Sequence, residues 1–259
     1  MSHFLTRRVI GEIENTIRYY FGVKKDQIMV QSSLRSLLNL IFPQLCIMCY
    51  AETPNEGQNF CIDCMINMPH TNHFKNKDNL AAQKFWGKFP LEDAASLLNF
   101  FSYTDVRWMM HRLKYEGRKD IGHVLGMMAG KKVLGSPLFK DIDIIVPIPL
   151  HKEKRAKRGY NQAAYFGRGI SEILDIPMRE DVLIKHIYTK SQTKMGRIER
   201  IKNVFNSFDL VDRNGIQGRH ILIVDDVLTT GATIEACARK LMEAKDIKIS
   251  ILTACLARH

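Results

Sequence analysis

Apolar positions along this chain follow two rhythms. From Leu97 onward, short apolar runs alternate with longer stretches in which apolar residues recur every third or fourth position. The runs LLNFFSY (97–103), DIIVPIP (143–149), DVLIKHIY (181–188), HILIVDDV (220–227) and KISILTACLA (248–257) predict strands. The stretches VRWMMHRLKY (106–115), 120–134, NQAAYFGRGISEIL (161–174) and ATIEACARKLMEA (232–244) predict helices. Strands that alternate with helices predict an α/β fold, a parallel sheet covered on both faces. The runs 144–148 and 221–224 carry no polar side chain, as strands buried on both sides require.

Before Leu97 the pattern is different. Val9, Ile10, Ile13, Ile17 and Tyr20 fall at helical spacing. A second amphipathic helix carries Leu34, Leu37, Leu38 and Leu40, is capped by Ser32 or Ser33 and stops before Pro43. Its apolar stripe fits packing on a neighbouring domain better than a membrane anchor. Residues 70–95 are polar and irregular. The expected division is a helical extension over 1–45, a cysteine domain over 46–70, a connector over 71–95 and the α/β domain over 96–259.

The chain has 259 residues, 46% of them hydrophobic, which is enough for a core and excludes intrinsic disorder. Lys and Arg number 38 against 27 Asp and Glu, a net charge of +11, which points to a polyanionic partner without naming it. No stretch reaches the ~20 apolar residues of a membrane span, and the first residues lack a secretory apolar core. The expected location is the cytoplasm, or the periphery of the inner membrane.

Four of the six cysteines are clustered as Cys46-Ile-Met-Cys49 and Cys61-Ile-Asp-Cys64. Two C-x₂-C knuckles eleven residues apart place four thiolates around one Zn²⁺. Four protein ligands leave no open position for water, so the expected site is structural. Cys237 and Cys255 lie in a helix and a strand and are expected to be small core residues.

The sharpest motif is the run Ile221-Leu-Ile-Val-Asp225-Asp226-Val-Leu-Thr229-Thr230-Gly231-Ala232-Thr233. A buried strand ends in two carboxylates, and a hydroxyl- and glycine-containing loop then opens a helix. Such a loop aims N–H groups, hydroxyls and a helix N-terminus at one point, as a monophosphate requires. Carboxylates cannot hold a phosphate, but they accept hydrogen bonds from adjacent ribose hydroxyls.

These thirteen residues resemble the phosphoribosyl-pyrophosphate (PRPP) signature of type I phosphoribosyltransferases. The two knuckles, LKYEGRKDIG (113–122), IVPIPLHKEKRAKRGYNQA (145–163) and SQTKMGRIERIKNVFNSF (191–208) resemble landmarks of the ComF family, which is associated with DNA uptake in competent bacteria. The resemblance covers roughly residues 34–259. It implies a type I phosphoribosyltransferase-like parallel sheet with a small N-terminal Cys₄ zinc ribbon. Asp225 and Asp226 would hold the ribose hydroxyls, and Thr229, Thr230, Gly231, Ala232 and Thr233 the 5′-phosphate. The turn at Leu150 and His151 would take pyrophosphate. Mg²⁺ would arrive on PRPP, held by phosphate and water. Gln192, Arg197, Arg200 and Asn203 match the region of a mobile catalytic loop, in which Arg200 would neutralise departing pyrophosphate.

Lys152, Lys154, Arg155, Lys157 and Arg158 against Glu153 give +4 in seven residues. Three readings of this run stay open: pyrophosphate contact, nucleic-acid backbone contact, or a solvated charged loop. Gly159 is expected to turn the chain, Asn161 to cap the next helix and Tyr160 to pack. His70, His73, His111, His123 and His186 are not read as ligands or catalysts. The acceptor-recognising hood of a phosphoribosyltransferase would have to come from the zinc domain and 70–95, where no cluster specifies a base. Three functions therefore remain. One is a PRPP-binding protein supporting uptake or processing of single-stranded DNA together with the uptake machinery. Another is an active transferase with an unidentified nitrogenous acceptor. The third is a PRPP-sensing regulator without turnover.

Overall fold

The computed structural model describes residues 43–53, 57–101, 105–186 and 207–258. The helices expected over 9–20 and 32–42, and Gln192, Arg197, Arg200 and Asn203, lie outside the described residues.

The main sheet has four parallel strands in the order β1 (Ala94–Phe100), β6 (Lys248–Ala257), β5 (His220–Leu228), β2 (Ile144–Pro147). The two long apolar runs of the sequence are the two central strands. Alternation along β5 divides the core. Leu222 and Val224 face one side of the sheet, and Ile221 and Ile223 face the other. The first side is covered by α3 (Asp105–Tyr115), α4 (Lys119–Leu134) and α6 (Gln162–Leu174), through Leu113, Leu125 and Ile170. The second side is covered by α7 (Ala232–Leu241) through Cys237, by the short helix α2 (Leu80–Gln83) through Ala81 and Ala82, and by Phe85 just beyond that helix. Both faces are thus buried, as the unbroken apolar runs required.

Helices α4 and α6 cross at glycines. A Cβ on Gly126 would stand 2.1 Å from the Phe166 carbonyl oxygen, and one on Gly169 would stand 2.1 Å from that of His123. Only glycine allows the two backbones to approach this closely.

Two stretches differ from the sequence expectation. Within the described part of the run expected as a strand over 181–188, residues 181–186, the strand is β3 (Leu183–Lys185), which pairs antiparallel with β4 (Phe208–Leu210) in a separate sheet. Its alternation explains this: Leu183 is buried whereas Ile184 is 47% exposed, so it has one core face and not two. Residues 71–95 lack a long periodic pattern but are packed. Phe74, Ala81, Ala82 and Phe85 are buried, and the Asn79 side chain caps α2 by accepting from the Ala81 and Ala82 N–H groups. Its amide also donates to the Ala94 carbonyl at 2.7 Å, which ties this segment to β1. His73 is buried here, its Nδ1 accepting from Ser96 N–H, and burial holds its pKa down to about 4.

Candidate phosphate-ribose cleft and metal cage

The strand β5 ends at Leu228, and Thr229, Thr230 and Gly231 lead into α7. Gly231 has φ +81°, a left-handed conformation that L side chains adopt at a cost. A Cβ there would also stand 2.8 Å from Cε1 of the buried Phe85. The loop and the first turn of α7 line a cleft, together with Asp225 and Val227. The first N–H groups of a helix have no intrahelical acceptor, so those of α7 are available to an anion in this cleft. Thr229 and Thr230 are exposed, and Thr230 Oγ1 lies 3.4 Å from Ala232 N.

Strand parity sends the two carboxylates to opposite faces of the sheet. Asp226 shares the side of Leu222 and Val224, where Lys114 of α3 reaches its Oδ2 at 3.2 Å. Asp225 lies on the side of α7, in the field of Lys185 and close to Cys237. Burial, and then the charge of Asp226, push its pKa up to about 7; Asp226 N–H donates to Asp225 Oδ1 at 2.8 Å and opposes that rise. Burial in turn lowers the pKa of Lys185, whose ammonium sits 4.7 Å from the Phe208 ring centroid. Lys114 and Lys185 were not singled out from the sequence. Lys114 does stand within LKYEGRKDIG, but nothing in that string shows which face its helix turns to the sheet.

Strand β2 runs beside β5, with Pro147 opposite Val224, so Leu150 and His151 follow at the same carboxyl edge as the cleft. The Asn161 amide donates to the Ile148 carbonyl at 2.9 Å and its Oδ1 accepts from Ala163 N–H, capping α6. Gly159 has φ +80° and turns the chain, and Tyr160 is buried with its hydroxyl donating to the Leu113 carbonyl. The basic run is not a loop. Lys152–Arg158 forms α5, N-capped by His151 Nδ1 and without a buried residue. Its high charge hid a helix that carries no apolar face.

The four cysteines come together. Cys46, Cys49, Cys61 and Cys64 place their sulfurs within 4.8 Å of one another, with Cys49 and Cys61 at 3.6 Å. Met48 N–H points at Cys46 Sγ (3.4 Å), Ala51 N–H at Cys49 Sγ (3.4 Å) and Cys64 N–H at Cys61 Sγ (3.5 Å). Backbone donors turned onto sulfur suit thiolates, and four thiolates this close need a cation between them. The donor set therefore fits structural zinc. Helix α1 (Ile62–Ile66) starts at Cys61 and carries the last ligand. Cys237 and Cys255 are fully buried in the main domain. The cage is held to that domain by Arg112 of α3, which is 4% exposed. Its Nη2 donates to the Ile47 and Met48 carbonyls at 2.6 Å each, and its guanidinium covers the Tyr50 ring at 4.0 Å.

A parallel sheet that carries strand, paired carboxylates, hydroxyl loop and helix at its carboxyl edge defines a phosphoribosyltransferase-type domain. The family profile of the phosphoribosyl transferase domain matches residues 161–259. The chain is 36% identical over 139 residues to Competence protein F of Haemophilus influenzae, covering 51% of this chain and 60% of that protein. It is 28% identical over 150 residues to DNA utilization protein YhgH of Escherichia coli K12, covering 57% and 65% respectively. Competence protein ComFC of Bacillus subtilis is 27% identical over 232 residues, 88% of this chain and 83% of that protein. The first two alignments span less than two thirds of those relatives' length. With its cysteine cage ahead of the phosphoribosyltransferase-type sheet, the chain is similar to Competence protein F and to ComFC. Among the described residues no helix is long and apolar enough to cross a membrane.

Proposed function

We propose that this protein binds PRPP at the carboxyl edge of β5 and supports the uptake or processing of single-stranded DNA in natural transformation. The observation that carries the first half is the cleft itself, where Asp225 stands beside the hydroxyl loop and the N-terminus of α7. In this reading Thr229, Thr230, Gly231, Ala232 and Thr233 take the 5′-phosphate. Asp225 and Asp226 accept from the ribose hydroxyls, Asp226 exchanging its ion pair with Lys114 for a hydroxyl. Leu150 and His151 lie where the pyrophosphate would reach, and Mg²⁺ comes with PRPP. The cage binds one zinc per chain. The second half rests on the names of the relatives, two of them competence proteins and one a DNA utilization protein.

The test is calorimetry with PRPP and Mg²⁺. Wild type is expected to bind, and Asp225→Asn combined with Asp226→Asn to lose at least tenfold in affinity. Absence of heat from the wild-type protein overturns the PRPP reading.

A further inference from the structure

Helix α3 buries Val106, Met109, Met110 and Leu113 against the sheet. Its opposite face carries Trp108, His111 and Tyr115, at the three- and four-residue spacing that aligns side chains along one line. Trp108 is 64% exposed and Tyr115 is 63% exposed. The Trp108 and His111 rings lie 6.1 Å apart edge-on, and the His111 and Tyr115 rings 4.9 Å apart, so the three form a ladder. The guanidinium of Arg158 lies 5.4 Å from the Tyr115 ring centroid, and Arg158 ends the basic helix α5. The ladder therefore runs into a helix with five cations and one carboxylate. One residue before Tyr115, Lys114 reaches Asp226 at 3.2 Å, so the junction of ladder and basic helix stands near the carboxyl end of β5.

Folding does not explain an exposed Trp and Tyr on a helix whose other face supplies the core. A protein partner would ask for a charge-poor apolar centre, and a bilayer surface for Leu or Phe beside the rings. This face has neither. Successive rings give flat stacking surfaces for unpaired bases, and an adjoining line of cations gives the phosphodiester contacts. We infer that the Trp108–His111–Tyr115 ladder and helix α5 form a track for single-stranded nucleic acid, its bases stacked on the rings and its backbone along Lys152, Lys157 and Arg158. The inference deepens the proposed function and rests on its DNA half, not on PRPP binding.

The test follows the anisotropy of a fluorescein-labelled 20-mer of dT with the full-length, zinc-loaded protein over a salt series. A blunt duplex of equal length and vesicles of anionic lipid serve as competitors. Wild type is expected to bind the single strand and to prefer it to both competitors. Trp108→Ala with Tyr115→Ala is expected to lose about thirtyfold in affinity through two lost stacks, while Trp108→Phe with Tyr115→Phe keeps most of it. Lys152→Gln with Lys157→Gln is expected to reduce the slope of log K against log salt by about 1.4, roughly 0.7 for each lost phosphate contact. Trp108 and Tyr115 are exposed and lie outside the phosphate loop, so melting temperature and PRPP binding stay unchanged in their alanine variant. If wild type binds the 20-mer and the Trp108/Tyr115 alanine variant binds it equally well, the track is refuted while the DNA reading stands. If wild type does not bind it, or prefers the vesicles, the DNA reading falls and the track with it.

Discussion

Gly231→Ala tests how the cleft is built. Two costs arise from one methyl group. The backbone stays at φ +81°, where a residue with a Cβ pays about 1–2 kcal/mol. The methyl also meets Cε1 of Phe85 at 2.8 Å. Phe85 is fully buried, so its ring cannot swing into solvent, and overpacking of this kind costs about 1–3 kcal/mol. The two together give about 2–5 kcal/mol, a fall in melting temperature of roughly 4–20 °C for a chain of this size. The measurement is denaturant unfolding of four proteins: wild type, Gly231→Ala, Phe85→Leu and the double variant. Phe85→Leu alone leaves a cavity and destabilises. In the double variant it makes room for the methyl, so the pair costs at least 1 kcal/mol less than the sum of the singles. Only the steric part is rescued; the backbone part persists. A Gly231→Ala cost below 1 kcal/mol, or strict additivity of the two substitutions, refutes the claim that Phe85 seats the phosphate loop.

Other consequences follow from the same coordinates. Asp225 ionises less readily folded, at about 7, than unfolded, near its ordinary value of about 4, so it opposes folding increasingly as pH rises through that window and by a constant amount above it. Asp225→Asn should flatten the stability–pH curve between about pH 4 and 7 and raise stability at pH 8, as thermal unfolding will read. PRPP affinity, if its ribose needs the carboxylate, should fall by about tenfold per pH unit below 7 in calorimetry. Metal analysis should find one zinc per chain, lost in Cys61→Ser; a metal-free wild type contradicts the cage. Arg112→Leu leaves the Ile47 and Met48 carbonyls without their donor and should cost about 2–4 kcal/mol, with faster zinc loss to a chelator. Gly169→Ala should destabilise by more than about 2 kcal/mol, because its methyl meets backbone on α4 and not a movable side chain.

What could be read from the sequence is what local pattern determines. The buried strands, the helices at 105–115, 119–134, 162–174 and 232–241, the cysteine pairing and the 221–233 motif each announce themselves within about fifteen residues. What could not be read depends on residues far apart in the chain. That Phe85 meets Gly231 joins positions 146 apart with no shared motif. The packing of 71–95 was hidden because its buried residues come from helices of three or four residues, too short for a period, and from single positions such as Asn79 and Phe85 beside them. Helix α5 was hidden for the opposite reason: seven residues without an apolar face give no amphipathic signal, and the His151 cap and Gly159 stop show only in three dimensions. The two adjacent carboxylates look equivalent in sequence, yet strand parity gives them different faces: Asp226 pairs with Lys114, whereas Asp225 lies in the fields of both Lys114 and Lys185.

Helix α3 joins these parts physically. Within eight residues it presents Trp108 and Tyr115 to solvent, Arg112 to the cysteine knuckle and Lys114 to Asp226. Val106, Met109, Met110 and Leu113 fix it against the sheet, so it is a rigid element and not a flexible tether. Any shift of the knuckle that pulls on Arg112 must move Lys114, two residues away, relative to Asp226. Loss of zinc is thus expected to change PRPP affinity even though the cage lies outside the cleft. Reciprocity requires PRPP to shift zinc affinity by the same coupling free energy. Equilibrium competition for zinc with a chelator, with and without PRPP, measures that coupling. Lys114→Met serves as the control, since it cuts the link at Asp226 while leaving Arg112 and the cage in place. If PRPP shifts zinc affinity equally in wild type and Lys114→Met, the coupling does not run through this ion pair.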